Sequence, residues 1–165
     1  MKTSPQDRPS ARGLRIAVLR ARFNAAVTDG LLAGALDALR EMGASSSQVA
    51  VHDVPGAFEL PVVAAAAARS GRFDAVVALG AVIRGDTDHY DHVAREAASG
   101  LAAVALETGV PVAFGVLTVR EAGQAEKRSA PGPDNKGAEA ARAAVAAARV
   151  VRAVGGPRRR GRRGR

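Results

Sequence analysis

Apolar positions recur along this chain with two alternating periods, one of strands and one of helices. Residues 14–19, LRIAVL, form a short apolar run with β-branched members that suits a buried strand. The stretch AAVTDGLLAGALDALREMG (25–43) then spaces Val27, Leu31, Leu32, Ala35, Leu36, Leu39 and Met42 as one helical face, with Gly43 as its stop. QVAVHDV (48–54) predicts a second strand, ended by Pro55 and Gly56. A helix follows over FELPVVAAAAARSG, with Pro61 in the first turn, where proline is tolerated. DAVVALGAVI (74–83) is an almost unbroken apolar run, as expected of a strand buried on both faces. RGDTDH interrupts it, and DHVAREAASGLAAVALETG restores the helical period. PVAFGVLTV (111–119) predicts a fourth strand, before a short polar helix near 121–129, the loop SAPGPD and a long helix from about 136 to 154. Alanine supplies 38 residues, so the helical assignments owe something to composition and the strand assignments do not.

Four strands alternating with helices imply right-handed βαβ crossovers and a four-stranded parallel sheet covered on both faces. Such α/β sheets bind ligands beyond the carboxyl ends of their strands. That rule singles out Phe23–Asn24, Val54–Glu59, Gly80–His89 and Phe114–Thr118.

Length and composition narrow the picture. The 165 residues, 47% hydrophobic and 24% charged, suit one globular domain. With no cysteine, disulfides, thiolate catalysis and cysteine–zinc sites are excluded. The first thirteen residues lack the apolar core of a signal peptide, and no apolar run is long enough to span a bilayer, so a cytoplasmic protein is expected. The net charge of +8 resides in two tails: six arginines fall in the last eight residues, and residues 13–157 balance. We therefore expect a flexible N-terminal segment (1–13), one domain (14–154) and a disordered arginine-rich tail (155–165). The tail either binds polyanions without sequence preference or is a solubilising terminus with no partner. Neither a Walker A loop nor GxGxxG occurs, and His52, His89 and His92 lack metal-ligand spacing.

The aromatic residues are one tyrosine and four phenylalanines, and Phe23, Phe58, Tyr90 and Phe114 fall near predicted strand ends. Such rings either plug the end of the core or sandwich a planar heterocycle. Glu59, at a strand-to-helix turn, can accept hydrogen bonds from a ligand or simply complement a helix dipole. In Arg84-Gly85-Asp86-Thr87-Asp88-His89, the glycine permits a tight turn and Thr87 offers a hydroxyl. The next helix presents free N–H groups suited to phosphate, and His89 stands beside them as a proton acceptor near neutral pH. The two aspartates speak against a bare phosphate site, and an Asp88 N-cap with a structural His89 accounts for the segment equally well. Arg128, Asn135 and Lys136 flank the last loop, as a phosphate clamp or as solvated charge.

Together these segments resemble the lumazine synthase (6,7-dimethyl-8-ribityllumazine synthase) family of riboflavin biosynthesis. The resemblance runs from about Arg15 to Arg149 and rests on Phe23-Asn24, VPGAFELP (54–61), ALGAVIRGDTDHYDHVA (78–94), PVAFGVLT (111–118), QAEKR (124–128) and NKGAEAA (135–141). Each is weak alone; their order and spacing are specific. The resemblance implies a flavodoxin-like α/β/α three-layer sandwich that forms a homopentamer, with sites between neighbouring subunits. It also admits a sixty-subunit shell and association with riboflavin synthase. The implied reaction, penultimate in the pathway, is a transferase condensation of 5-amino-6-(D-ribitylamino)uracil with 3,4-dihydroxy-2-butanone 4-phosphate. An imine forms, phosphate is eliminated and ring closure expels water, with no metal or organic cofactor.

Carried over by motif, Phe23 stacks on the pyrimidine, and Ala57, Phe58 and Glu59 hold the ribityl side. Ala81, Val82 and Ile83 meet the ring through backbone groups, while Phe114 comes from the adjacent subunit. Asp86 and Thr87 lie at the phosphate, His89 transfers protons and Arg128 pairs with the phosphate, with Lys136 nearby. Asp86, His92, Gly123 and Ser129-Ala130 depart from the family's usual residues; none removes a catalytic group. A paralogue that had lost catalysis would be expected to lack His89 or Arg128, and both are present. A riboflavin synthase, condensing two lumazines, is the nearest enzymatic alternative.

Overall fold

The computed structural model describes residues 9–155. Four strands, β1 (Ile16–Ala21), β2 (Val49–Val54), β3 (Ala75–Ile83) and β4 (Val112–Val119), form one parallel sheet in the order β2-β1-β3-β4. The helices are α1 (Ala25–Glu41), α2 (Leu60–Arg69), α3 (His89–Thr108), α4 (Ala122–Ser129) and α5 (Lys136–Gly155). Short 3-10 turns at Ser46–Gln48 and Ala57–Glu59 precede β2 and α2.

Alternation along the strands divides the core into two halves, as a sheet covered on both faces requires. From β3, Val77, Leu79 and Ala81 face one half, with Val27, Leu31 and Leu39 of α1 and the alanine face of α5. Val76, Ala78 and Val82 face the other, with Leu60 and Ala64 of α2 and Ala97 and Leu101 of α3. These layers make the α/β/α sandwich expected of a flavodoxin-like chain. Small side chains also let α5 approach closely. A Cβ on Gly137 would stand 1.9 Å from the carbonyl oxygen of Leu31, so only glycine fits there.

Register places chemistry as well as packing. Arg20 of β1 lies opposite Asp53 of β2, and the guanidinium donates to both carboxylate oxygens, at 2.9 and 2.7 Å, and also pairs with Asp29. The hydrogen bond from Arg20 holds the Asp53 carboxyl below its ordinary range.

Both ends of the described chain are held to the domain. Residues 9–13 pack against the domain: Ala11 is fully buried and donates its N–H to Met42 O, and Arg149 holds the carbonyls of Ser10 and Arg12. Gly155, expected in the tail, is the last residue of α5. The remainder of both expected tails, 1–8 and 156–165, lies outside the described residues. Among the described residues no helix is long and apolar enough to cross a membrane.

Candidate active site

The strand order changes direction between β1 and β3, and a cleft of about 370 Å³ opens there at their carboxyl ends. Beyond β1 the chain stays on the β2 side: Arg22 N–H donates to Val54 O and Phe23 N–H to Pro55 O. Those two bonds bring Phe23 beside the turn that carries Ala57, Phe58 and Glu59. Asn24 then turns the chain into α1 in a left-handed conformation (φ 60°, ψ 48°), which asparagine tolerates better than most residues. Its side-chain amide donates to Ala81 O at 2.9 Å and ties the start of α1 to the end of β3.

The floor of the cleft is an overhang. β1 pairs with β3 only as far as Leu79, whereas β4 pairs with it through Ile83. Ala81, Val82 and Ile83 therefore have no strand partner on the β1 side, where the Asn24 amide meets the Ala81 carbonyl. A planar heterocycle with donors and acceptors on its edge suits such a floor.

Phe23 is 72% exposed and Phe58 59% exposed, so these rings do not plug the core. Both line the cleft with Tyr90, and rings at such a position can stack on a flat ligand. Thr87 and His89 also line it, at the start of α3. Asp88 occupies the N-cap position, but its carboxylate makes no cap bond; instead Thr87 Oγ1 accepts the His89 N–H at 3.4 Å. Asp86 is exposed on the same loop and lines neither cleft.

Phe114 does not join the other rings. It lies near the start of β4, opposite Ala78, because the strand begins only two residues before it. There it lines a second cleft of about 380 Å³ with Thr118, Gln124, Arg128 and Lys136, along the edge of β4 against α4 and α5. Arg128 Nη1 donates to Gln124 O at 3.0 Å within its own helix, and Lys136 Nζ pairs with Glu139 at 2.5 Å. The candidate residues thus divide: the aromatic, backbone and histidine group in one cleft, Phe114 and the two cations in the other. Asn24, singled out with Phe23 at the end of the first strand but given no role there, lines the first cleft and ties the start of α1 to the end of β3.

The family model for 6,7-dimethyl-8-ribityllumazine synthase matches residues 13–152.

Proposed function

Because the chain belongs to the 6,7-dimethyl-8-ribityllumazine synthase family, we propose that it condenses 5-amino-6-(D-ribitylamino)uracil with 3,4-dihydroxy-2-butanone 4-phosphate. The observation that carries this reading is the cleft at the β1/β3 switch point, where two exposed rings, an unpaired backbone edge and His89 converge.

In this reading the pyrimidine lies against Phe23, with its polar edge on the overhanging backbone of Ala81, Val82 and Ile83. The ribityl chain runs toward Ala57, Phe58 and Glu59, whose carboxylate accepts from its hydroxyls. The 5-amino nitrogen attacks the ketone carbon of the butanone, and a first water leaves as the imine forms. Loss of a proton beside the imine expels inorganic phosphate. The resulting enol becomes a ketone, the ribitylamino nitrogen attacks it, and a second water leaves as the ring closes. His89 accepts and returns these protons. Arg128 neutralises charge on the departing phosphate, with Lys136 released from Glu139 to assist, beside the backbone of Asp86 and the Thr87 hydroxyl. Holding both reactants in contact supplies much of the acceleration.

Phe114 and Arg128 lie in a different cleft from Phe23 in one chain, so we place each complete site between two subunits of a homopentamer. The exposed rings of Phe23, Phe58 and Phe114 support association, since water-exposed aromatic surface of this kind marks an interface or a ligand site. The deciding experiment supplies purified protein with both substrates, then with the lumazine alone. Lumazine formation from the pair supports the proposal; riboflavin formation from lumazine alone, without the first reaction, overturns it.

A further inference from the structure

One side chain ties down the loop that separates Arg128 from Lys136. Asn135 is only 2% exposed, and its Nδ2 donates to Ser129 O at 2.8 Å, Gly30 O at 3.0 Å and Ala130 O at 3.1 Å. Its Oδ1 accepts the Ala138 N–H at 3.0 Å. An amide nitrogen has two N–H bonds, so the three carbonyls share them.

These partners are orphan groups of two helix ends. Ser129 and Ala130 close α4, where the last carbonyls have no partner within the helix, and Ala138 is the third residue of α5, where the N–H is equally unpaired. A single amide therefore caps the end of one helix and the start of the next, and Gly30 O anchors both to α1. The surface of α1 is cut to receive it. A Cβ on Gly34 would stand 2.1 Å from Asn135 Oδ1, and one on Gly30 would stand 2.4 Å from Ser129 O.

Arg128 precedes the first of these capped residues and Lys136 follows Asn135 directly, and both line the cleft along β4. The Arg128 guanidinium bonds within its own helix and Lys136 pairs within its own, so neither contact joins the two. What fixes one cation relative to the other is the backbone geometry held by Asn135. We propose that Asn135 is a positioning residue for the phosphate of the butanone substrate, setting the spacing of Arg128 and Lys136 without touching the substrate. This rests on the synthase reading above.

The test is Asn135→Ser, which keeps an N-cap oxygen for α5 and removes the amide that reaches α4 and α1. Asn135→Gly, also accepted at an N-cap, is the second variant should the first fail to fold. Steady-state kinetics in each substrate are compared with wild type, alongside calorimetric titration of inorganic phosphate. The expected result is a KM for the butanone phosphate raised roughly tenfold, the scale of one misplaced charge-assisted bond. Inorganic phosphate weakens in parallel, and the KM for the pyrimidine stays within about twofold. Equal increases in both KM values, unchanged phosphate binding in a folded variant, or loss of folding in both variants would each overturn the positioning role. If the wild type forms no lumazine, the synthase reading fails, and the phosphate titration still decides whether Asn135 organises an anion site.

Discussion

His89 begins α3 exposed at the wall of the first cleft, and its backbone N–H meets only the neighbouring Thr87 hydroxyl. No packing depends on its ring, so His89→Ala should melt like the wild type. Lumazine formation should nevertheless slow by about a hundredfold, the low end for loss of a positioned proton carrier. Initial rates across the neutral pH range check this, and an unchanged profile would remove His89 from the chemistry. In the proposed reaction Arg128 has a different part, because an arginine opposite a phosphate acts through charge and paired N–H groups. Arg128→Ala should raise the KM for the butanone phosphate by roughly tenfold or more and leave that for the pyrimidine nearly unchanged. Kinetics in each substrate separately measure the split.

Within and between helices, the glycines separate packing from propensity. Gly137 lies where α5 crosses α1, with Leu31 O at 1.9 Å from the position of a Cβ. Gly137→Ala must push the helices apart, at a cost of about 1–3 kcal/mol or more, and should lower the midpoint of thermal unfolding by several degrees. Gly123 lies in α4 with nothing within 4 Å of the same position, and its backbone carries no positive φ. Gly123→Ala should stabilise by up to about 1 kcal/mol, because alanine loses less backbone freedom on entering a helix. Parallel melts of the two variants check both signs. The helix and strand periods in the sequence located these elements to within one or two residues, as with 74–83 against Ala75–Ile83. The closeness of α1 and α5 had no such signal: a glycine in an alanine-rich helix looks the same whether it faces a carbonyl or water.

For the molecule as a whole, two expectations concern association. With the proposed site residues divided between two clefts and Phe114 47% exposed on an edge strand, the shared-site proposal predicts that light scattering at micromolar concentration reports an oligomer. A monomer with full activity would overturn the shared site. The second concerns the arginine-rich residues 156–165, outside the described structure. α5 starts at the second cleft with Lys136 and runs roughly 30 Å to Gly155. Its far end lies by the starts of β1 and β3, where Arg152 pairs with Asp74 at 2.9 Å and Arg149 holds Ser10 O. Gly155, the last described residue, therefore lies at the end of the fold away from the clefts. Deleting 156–165 should leave lumazine formation unchanged and abolish retention of RNA at low salt, since six guanidinium groups each neutralise a phosphate. Filter binding at two salt concentrations reads it, and equal retention by both forms would assign the tail no such role.

The strands and helices, and the both-faced burial of β3, were legible in the sequence because hydrophobic period is a local property that a short window carries. So were the carboxyl ends of β1, β2 and β3 as the edge where a sheet of this kind opens a cleft, which follows from where those strands end. Motif order identified the family, which the match over residues 13–152 establishes. Other features depend on residues distant in the chain. The overhang of Ala81–Ile83 arises because β1 stops short of β3, a matter of register between residues about 60 positions apart. Phe114 separates from Phe23 and Phe58 because an edge strand starts, and does not end, beside it. Asn135 clasps α1 across a sequence separation of 105, through carbonyls that every residue carries, so no residue type announces the contact. Periodicity tells which side chains turn inward; only packing settles which of the identical backbone groups they meet.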